Sequence, residues 1–128
     1  MDNRLFAIGD VHGCFKPLKK LVENNLRLEK SDRLILLGDY IDRGSESKEV
    51  IDFILDKQAQ GYQIIPLLGN HEDMLLNAYE DQRHLPLWLY NGGNKTLESF
   101  GIRSIKKLAP EYVKFFQQLD YFFTLDNY

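Results

Sequence analysis

The chain has 128 residues, 44% hydrophobic and 27% charged, which is typical of one soluble domain with a hydrophobic core. Its formal net charge is -3 and its 16 basic residues are scattered, so we expect neither nucleic acid nor an anionic membrane as a partner. A single cysteine, Cys14, excludes an internal disulfide, and the N-terminus has no apolar signal segment, so a cytoplasmic location is expected.

Three apolar runs each pass through a glycine into polar residues: "RLFAIGDVHG" from Arg4, "LILLGDYIDRG" from Leu34 and "YQIIPLLGNHE" from Tyr62. The unbroken apolar character of the middle run predicts a strand in a parallel sheet that is covered on both faces. A glycine directly after a strand predicts a positive φ or a tight approach to a ligand. The carboxyl ends of the strands should therefore bring several polar side chains to one edge of the sheet, namely Asp10, His12, Asp39, Asp42, Asn70 and His71.

Apolar residues at helical spacing separate these strands and follow them. They predict a helix over Pro17–Asn25, a second from Val50 until Gly61, and a third from Met74. The alternation of strand and helix predicts an α/β fold with right-handed crossovers.

The remainder of the chain predicts two more helices, one that starts with Asn94 as N-cap and ends at Gly101, and one over Pro110–Leu119. The aromatic residues Tyr121–Leu125 predict the beginning of a strand or a hairpin edge.

The polar side chains at the sheet edge suit divalent ions. Carboxylate oxygen and imidazole nitrogen together favour Mn, Fe or Zn over Ca. Asp10 and His12 can bind one ion from a single loop, and Asp39 can bridge that ion to a second one contacted by Asn70. Two such ions can clamp a phosphoryl group for in-line attack, which predicts phosphoester chemistry.

Three further residues fit this chemistry. Arg43 offers a planar, bidentate donor to phosphate oxygens. His71 can protonate a departing alkoxide, with Asp42 fixing its tautomer.

Other residues carry a plain structural interpretation beside a functional one. Cys14 is predicted to be a small buried residue, and His84 to lie at a helix end or near the substrate pocket. Trp88 and Tyr90 are interpreted as core, with the wall of a pocket above the metals as the alternative. Asn91–Gly93 is either a turn or a close approach to substrate.

The segments "GDVHG", "GDYIDRG" and "GNHE", in this order, resemble the signature of the calcineurin-like metallophosphoesterases, specifically the serine/threonine phosphoprotein phosphatase branch. "LWLYNGG" at Leu87–Gly93 also resembles bacterial and phage members, a group that includes symmetrical diadenosine tetraphosphate hydrolases. The resemblance implies the N-terminal portion of a β-sandwich flanked by helices, built from βαβαβ units with metal ligands at the carboxyl ends of the strands.

The resemblance also implies roles for the site residues. Two divalent ions are implied, with Mn first and Fe, Zn or Co as alternatives. His71 would be the general acid, Asp42 its partner and Arg43 a phosphate ligand, while the first ion would be bound by Asp10, His12 and Asp39 and the second by Asp39 and Asn70.

The family adds two histidines and an arginine from loops beyond the segment that ends here, so we expect residues 1–128 to form one domain that is incomplete at its C-terminus. The implied function is a serine/threonine protein phosphatase, in which a metal-bridging hydroxide attacks the phosphorus of a phosphoprotein or small phosphoester. The alternatives are a symmetrical diadenosine tetraphosphate hydrolase and a non-catalytic fragment with one weak metal site. An uncovered sheet face would also promote self-association.

Overall fold

The computed structural model describes residues 3–124 and contains a three-stranded parallel sheet. Its strands β1, β2 and β3 lie side by side in sequence order and cover Leu5–Ile8, Arg33–Leu36 and Gln63–Pro66. The register aligns Phe6 with Leu34 and Leu34 with Ile64. The predicted parallel α/β architecture is confirmed, and all three strands end at the same edge.

Helices follow each strand, close to the predicted positions. Gly61 and Gly101 end two of them with φ of 98° and 68°, the left-handed conformation that glycine adopts without a steric penalty. Within residues 3–124, six α-helices, α1 to α6, cover Phe15–Lys20, Ser47–Ala59, Asn70–Glu80, Leu85–Trp88, Asn94–Phe100 and Pro110–Gln117. A turn of π-helix, Leu21–Asn25, extends α1, and 3₁₀ turns cover Gln82–His84 and Ile105–Lys107. Leu89–Gly93 joins α4 to α5 across a kink at Asn91 and Gly92, whose φ and ψ are not helical.

The two faces of the sheet are covered unequally. Leu34, Leu36 and Ile64 point to one face and are buried against the helices. On the opposite face Leu5 is 44% exposed, and Leu37, just beyond β2, is 53% exposed. The prediction of a sheet covered on both faces is therefore wrong, because the described residues place no second layer over β1.

The hydrophobic core lies between the sheet and the helices and continues under the loops that leave the strands. Tyr40, Ile41, Ile51, Trp88 and Phe116 are fully buried, and each large side chain of this kind stabilises the fold by about 1.5–3 kcal/mol. The loop that follows β2 is therefore anchored in the core by buried side chains. This loop carries several of the predicted site residues.

The predicted strand over Tyr121–Leu125 is wrong as far as the structure describes it. Asp120 makes an isolated parallel bridge with Leu67, after which Tyr121 and Phe122 are 81% and 75% exposed and unpaired. Because Leu67 already lies past the end of β3, residues 121–124 have no β3 residue left to pair with. Leu125 lies outside the described residues.

No helix in the part of the chain between residues 3 and 124 is both long and apolar enough to cross a bilayer.

Candidate metal centre

The loops that follow β1 and β2 have strained backbone. Outside glycine, six described residues have positive φ, and all but Arg27 belong to these two loops: Asp10, His12, Asp39, Asp42 and Arg43. Such conformations cost about 1–3 kcal/mol each and persist where the surrounding structure imposes them, which is common at functional sites. The predicted site residues are therefore held in unusual conformations by the fold around them.

Close backbone contacts impose this strain. The His12 N–H donates to the Asp39 carbonyl and the Gly13 N–H to the Tyr40 carbonyl, both at 2.8 Å. A Cβ on Gly44 would lie 2.0 Å from the His12 carbonyl oxygen, so only glycine permits the two loops to approach this closely.

The glycines directly after the strands behave differently from one another. Gly38 has a φ of 104°, as predicted for a glycine in this position. Gly69 has no positive φ, but a Cβ there would lie 2.2 Å from the Asp39 backbone nitrogen, so this glycine lets two loops approach each other. Gly9 has no positive φ either, and a Cβ there would meet only the Leu37 side chain at 3.7 Å. For Gly9 and Gly69 a tight approach to a ligand stays a prediction.

The structure brings three predicted metal ligands together. One ligand atom each from Asp10, His12 and Asp39 lies within 4.8 Å of the others. The His12 Nδ1 lies 2.9 Å from the carbonyl oxygen of Ile41. Because a carbonyl can only accept, Nδ1 carries the hydrogen and Nε2 keeps the lone pair that a metal needs. Two carboxylates and one imidazole fit a first-row divalent ion.

Asn70, the predicted ligand of a second ion, is the exposed first residue of α3. The next backbone N–H, that of His71, donates to Asp39 Oδ1 at 3.0 Å. The peptide between Asn70 and His71 therefore lies against the carboxylate that was predicted to bridge two ions.

His71 and Asp42 form a buried pair beside this cluster. The His71 Nδ1 lies 2.8 Å from Asp42 Oδ2, and the side chains are 6% and 0% exposed. The His71 ring meets the His12 ring edge-on, with 4.7 Å between centroids. Burial raises the pKa of Asp42, and hydrogen bonds from Thr96 and His71 oppose that rise. The pair predicted to act as acid and partner is thus assembled next to a predicted metal ligand.

Arg43 is exposed at the rim of the same loop, with a φ of 69°. Its backbone N–H faces the carbonyl of Gly92 at 3.4 Å. Within residues 3–124 no carboxylate forms an ion pair with its guanidinium, which is therefore available to an anion.

The sequence interpretation missed Glu72, which ties the loops after β2 and β3 together. Its fully buried carboxylate accepts hydrogen bonds from the backbone nitrogens of Asp39 at 2.7 Å, Tyr40 at 2.9 Å and Gly69 at 3.0 Å. Burial raises the pKa of Glu72 to about 7, and these hydrogen bonds oppose the rise. A signal was present, because Glu72 is the third residue after Gly69 and has the position of a capping-box glutamate.

Trp88 and Thr96 bind the other side of Asp42, and neither was predicted to do so. Trp88 is fully buried, which fits its interpretation as core, but its indole N–H also lies 2.9 Å and 3.1 Å from the two Asp42 oxygens. The Thr96 hydroxyl donates to Asp42 Oδ1 at 2.6 Å. Tyr90 is 89% exposed, so its interpretation as core is wrong. Gly92 makes a close approach, but to the backbone of Arg43.

Two further residues that the sequence singled out, Cys14 and His84, are exposed. Cys14 is exposed, so the prediction of a buried cysteine is wrong; its thiol points along the loop surface toward the His12 carbonyl at 3.6 Å. His84 is the exposed last residue of a 3₁₀ turn, as predicted.

Comparison with known proteins identifies the family. The sequence profile of the Calcineurin-like phosphoesterase family (Metallophos) matches residues 4–126, and the chain therefore belongs to this family.

Curated relatives include enzymes with different named substrates. The chain is 40% identical over 76 residues to the symmetrical bis(5'-nucleosyl)-tetraphosphatase of Thioalkalivibrio sulfidiphilus, a match that covers 59% of this chain and 27% of that protein. It is 33% identical over 90 residues to serine/threonine-protein phosphatase 1 of Salmonella typhimurium, covering 70% of this chain and 39% of that protein. The chain thus spans well under two thirds of the length of these relatives.

Among solved structures, a crystal structure assigned as a candidate diadenosine tetraphosphatase has the same fold. It superposes with a TM-score of 0.59 at 21% identity and covers 93% of this chain and 48% of that chain. At this identity the similarity concerns the fold alone.

Proposed function

We propose that this chain carries the N-terminal part of the catalytic machinery of a metal-dependent phosphoric ester hydrolase. The observation that supports this proposal is the convergence of a three-ligand metal cluster, a buried histidine–aspartate pair and an exposed arginine at one edge of the sheet. Divalent ions at such a site, when bound, supply the Lewis acidity that neutralises phosphoryl charge and activates water.

In this proposal the two metal positions differ in strength. Asp10, His12 and Asp39 hold the first ion with two carboxylates and an imidazole. The second position has the shared Asp39 carboxylate and the neutral amide of Asn70, a weaker donor set. We expect Mn²⁺ as the preferred ion, with Fe, Zn or Co as alternatives.

The other site residues handle charge and protons. Arg43 would bind two oxygens of the phosphoryl group through its planar guanidinium. Asp42 accepts from His71 Nδ1, so His71 Nε2 is the atom that delivers a proton to the leaving oxygen. The leaving group could be the hydroxyl of a phosphorylated side chain or a nucleotide.

Two substrate classes are supported by the relatives: phosphoserine and phosphothreonine in proteins, and symmetrical dinucleoside tetraphosphates. Purified protein saturated with Mn²⁺ should be incubated with a phosphothreonine peptide and, separately, with diadenosine tetraphosphate. Phosphate release from the peptide supports a protein phosphatase, and ADP as the product of the dinucleotide supports the second class. Bound Mn²⁺ with no turnover of either would favour the alternative of a non-catalytic fragment with a metal site, and failure to bind Mn²⁺ would contradict the proposal.

We also propose that the open face of the sheet associates with a second copy of the chain. Leu5 and Leu37 are exposed there, and the aromatic side chains of Tyr121 and Phe122 are exposed at the far end of the described chain. Contiguous apolar surface of several hundred Å² is uncommon on monomeric proteins. Light scattering at micromolar concentration should give a dimer for the wild type and a shift toward monomer for Leu5→Lys with Leu37→Lys. A monomer at every concentration would refute the proposal.

A further inference from the structure

We infer that Trp88 and Thr96 are positioning residues for the proposed general acid: through Asp42 they fix the orientation and the tautomer of His71. The inference rests on the proposed function for its consequence in catalysis. The hydrogen bonds around Asp42 on which the inference depends can be measured in the protein without substrate and without turnover.

Three side-chain donors surround the carboxylate of Asp42. The carboxylate is fully buried and accepts from Trp88 Nε1, from Thr96 Oγ1 and from His71 Nδ1. The indole N–H can only donate, and it faces both carboxylate oxygens at 2.9 Å and 3.1 Å. Both carboxylate oxygens of Asp42 therefore accept hydrogen bonds.

The contact with Asp42 determines which nitrogen of the His71 imidazole carries the hydrogen. Because Asp42 accepts on every side, the group opposite it on His71 must be the Nδ1–H. The other ring nitrogen, Nε2, is then the one that can carry and release the proton used in catalysis. Loss of a donor on the far side of Asp42 would let the carboxylate rotate and loosen its hydrogen bond to Nδ1.

The backbone of Asp42 is also held by Thr96, at a strained φ of 73°. Its N–H donates to Thr96 Oγ1 at 2.9 Å, while the same hydroxyl donates to Asp42 Oδ1 at 2.6 Å. The Ser47 hydroxyl lies 3.3 Å from that of Thr96 and supports it. One threonine of α5 thus fixes both the main chain and the side chain of Asp42.

The segment that presents these residues is built around its glycines. A Cβ on Gly93 would lie 2.5 Å from the Trp88 ring, so glycine lets α5 pack directly against the indole. The neighbouring Gly92 carbonyl faces the Arg43 N–H. Residues 85–100 therefore clamp two consecutive site residues, Asp42 and Arg43.

The experiment is NMR of the protein labelled with ¹⁵N-histidine, at one fixed pH and without substrate. We expect a downfield Nδ1–H resonance and a single Nδ1–H tautomer for His71 in the wild type. Thr96→Val and Trp88→Phe should broaden or lose that resonance and mix the tautomers, whereas Thr96→Ser, which keeps the hydroxyl, should restore it. The matched control is Ser99→Ala, which removes a different contact between α5 and α2, the hydrogen bond to the Lys48 N–H.

The outcomes are distinct. If both Thr96→Val and Trp88→Phe keep the His71 resonances of the wild type, the inference is overturned. It is also overturned if Ser99→Ala loses the Nδ1–H resonance to the same extent as Thr96→Val and Trp88→Phe. If Trp88→Phe fails to fold, the contrast between Thr96→Val and Thr96→Ser decides; if Thr96→Val fails to fold, the His71 signals of Trp88→Phe decide. Where the protein turns over alkyl phosphates, Thr96→Val should lower kcat about tenfold with little change in KM, a part of the 10²–10⁴-fold that general acid catalysis supplies. A protein that shows the NMR signature but binds no Mn²⁺ would refute the proposed function and leave this inference standing.

Discussion

Replacing Gly92 by alanine tests whether residues 85–100 must contact the loop after β2. Gly92 has a φ of 104°, and a Cβ there would lie 2.8 Å from the Arg43 nitrogen and 3.0 Å from its Cγ. Gly101 is the matched control, because it also has a positive φ of 68° but nothing lies within 4 Å of its Cβ position. The two substitutions share the cost of backbone strain and differ mainly in the collision with Arg43.

The magnitudes follow from these contacts. Left-handed strain should cost about 1–2 kcal/mol in Gly101→Ala. Gly92→Ala adds about 1–3 kcal/mol for overpacking and about 0.5 kcal/mol for the long Arg43 N–H to Gly92 carbonyl hydrogen bond. We therefore expect Gly92→Ala to lower the free energy of unfolding by about 1.5–3.5 kcal/mol more than Gly101→Ala does.

Urea unfolding measures this difference conveniently, because the chain has one tryptophan, Trp88, and it is fully buried. Since small domains have m-values of about 1–3 kcal/mol/M in urea, the two midpoints should differ by about 0.5 M or more. A phosphate analogue such as vanadate should also bind more weakly to Gly92→Ala, because Arg43 is displaced. Equal midpoints for the two variants would refute the reasoning.

Three further predictions concern the metal site, the acid and the pH dependence. Asp10→Asn should abolish most Mn²⁺ binding measured by calorimetry, while Asn70→Ala should change it little; equal losses would contradict sites of unequal strength. In a complete enzyme that carries this site, His71→Ala should reduce hydrolysis of alkyl phosphates by about 10²–10⁴-fold but that of nitrophenyl phosphate far less, because a good leaving group needs no proton; equal loss would exclude a general acid role. Hydrogen bonds from the Arg4 side chain lower the pKa of Asp32, so the stability from this pair should be present at neutral pH and lost as the pH falls below about 4. Asp32→Asn should accordingly be less stable than the wild type at pH 7, with the gap closing in acid; a gap that does not depend on pH would contradict this.

Local sequence pattern was sufficient to predict the elements that place the site. Apolar runs that end in a glycine and a polar residue give strand ends, and parallel strands bring their ends to one edge. That argument placed Asp10, His12 and Asp39 together, and the structure has their ligand atoms within 4.8 Å. The left-handed ends at Gly61 and Gly101 were likewise predictable, because they depend on backbone preference alone.

What the sequence could not predict depends on contacts between distant residues. Trp88 and Thr96 reach Asp42 from 46 and 54 positions away, and nothing in their local pattern distinguishes them from ordinary core residues. The prediction of a strand at Tyr121 was wrong for a related reason. A strand needs a neighbouring strand to pair with, and β3 ends at Pro66, before the bridge between Leu67 and Asp120. The exposure of Cys14 depends on how its loop packs, which composition does not reveal.

The central claim is that the loops after the parallel strands form a divalent metal site. The most direct test is to titrate the wild type, Asp39→Asn and a control variant with Mn²⁺ and to measure the bound ion by electron paramagnetic resonance. Asp56→Asn serves as the control, because Asp56 is an exposed carboxylate on α2 outside the cluster. We predict saturable binding by the wild type and Asp56→Asn and its loss in Asp39→Asn. Binding that survives in Asp39→Asn, or absence of binding by the wild type, would contradict the account.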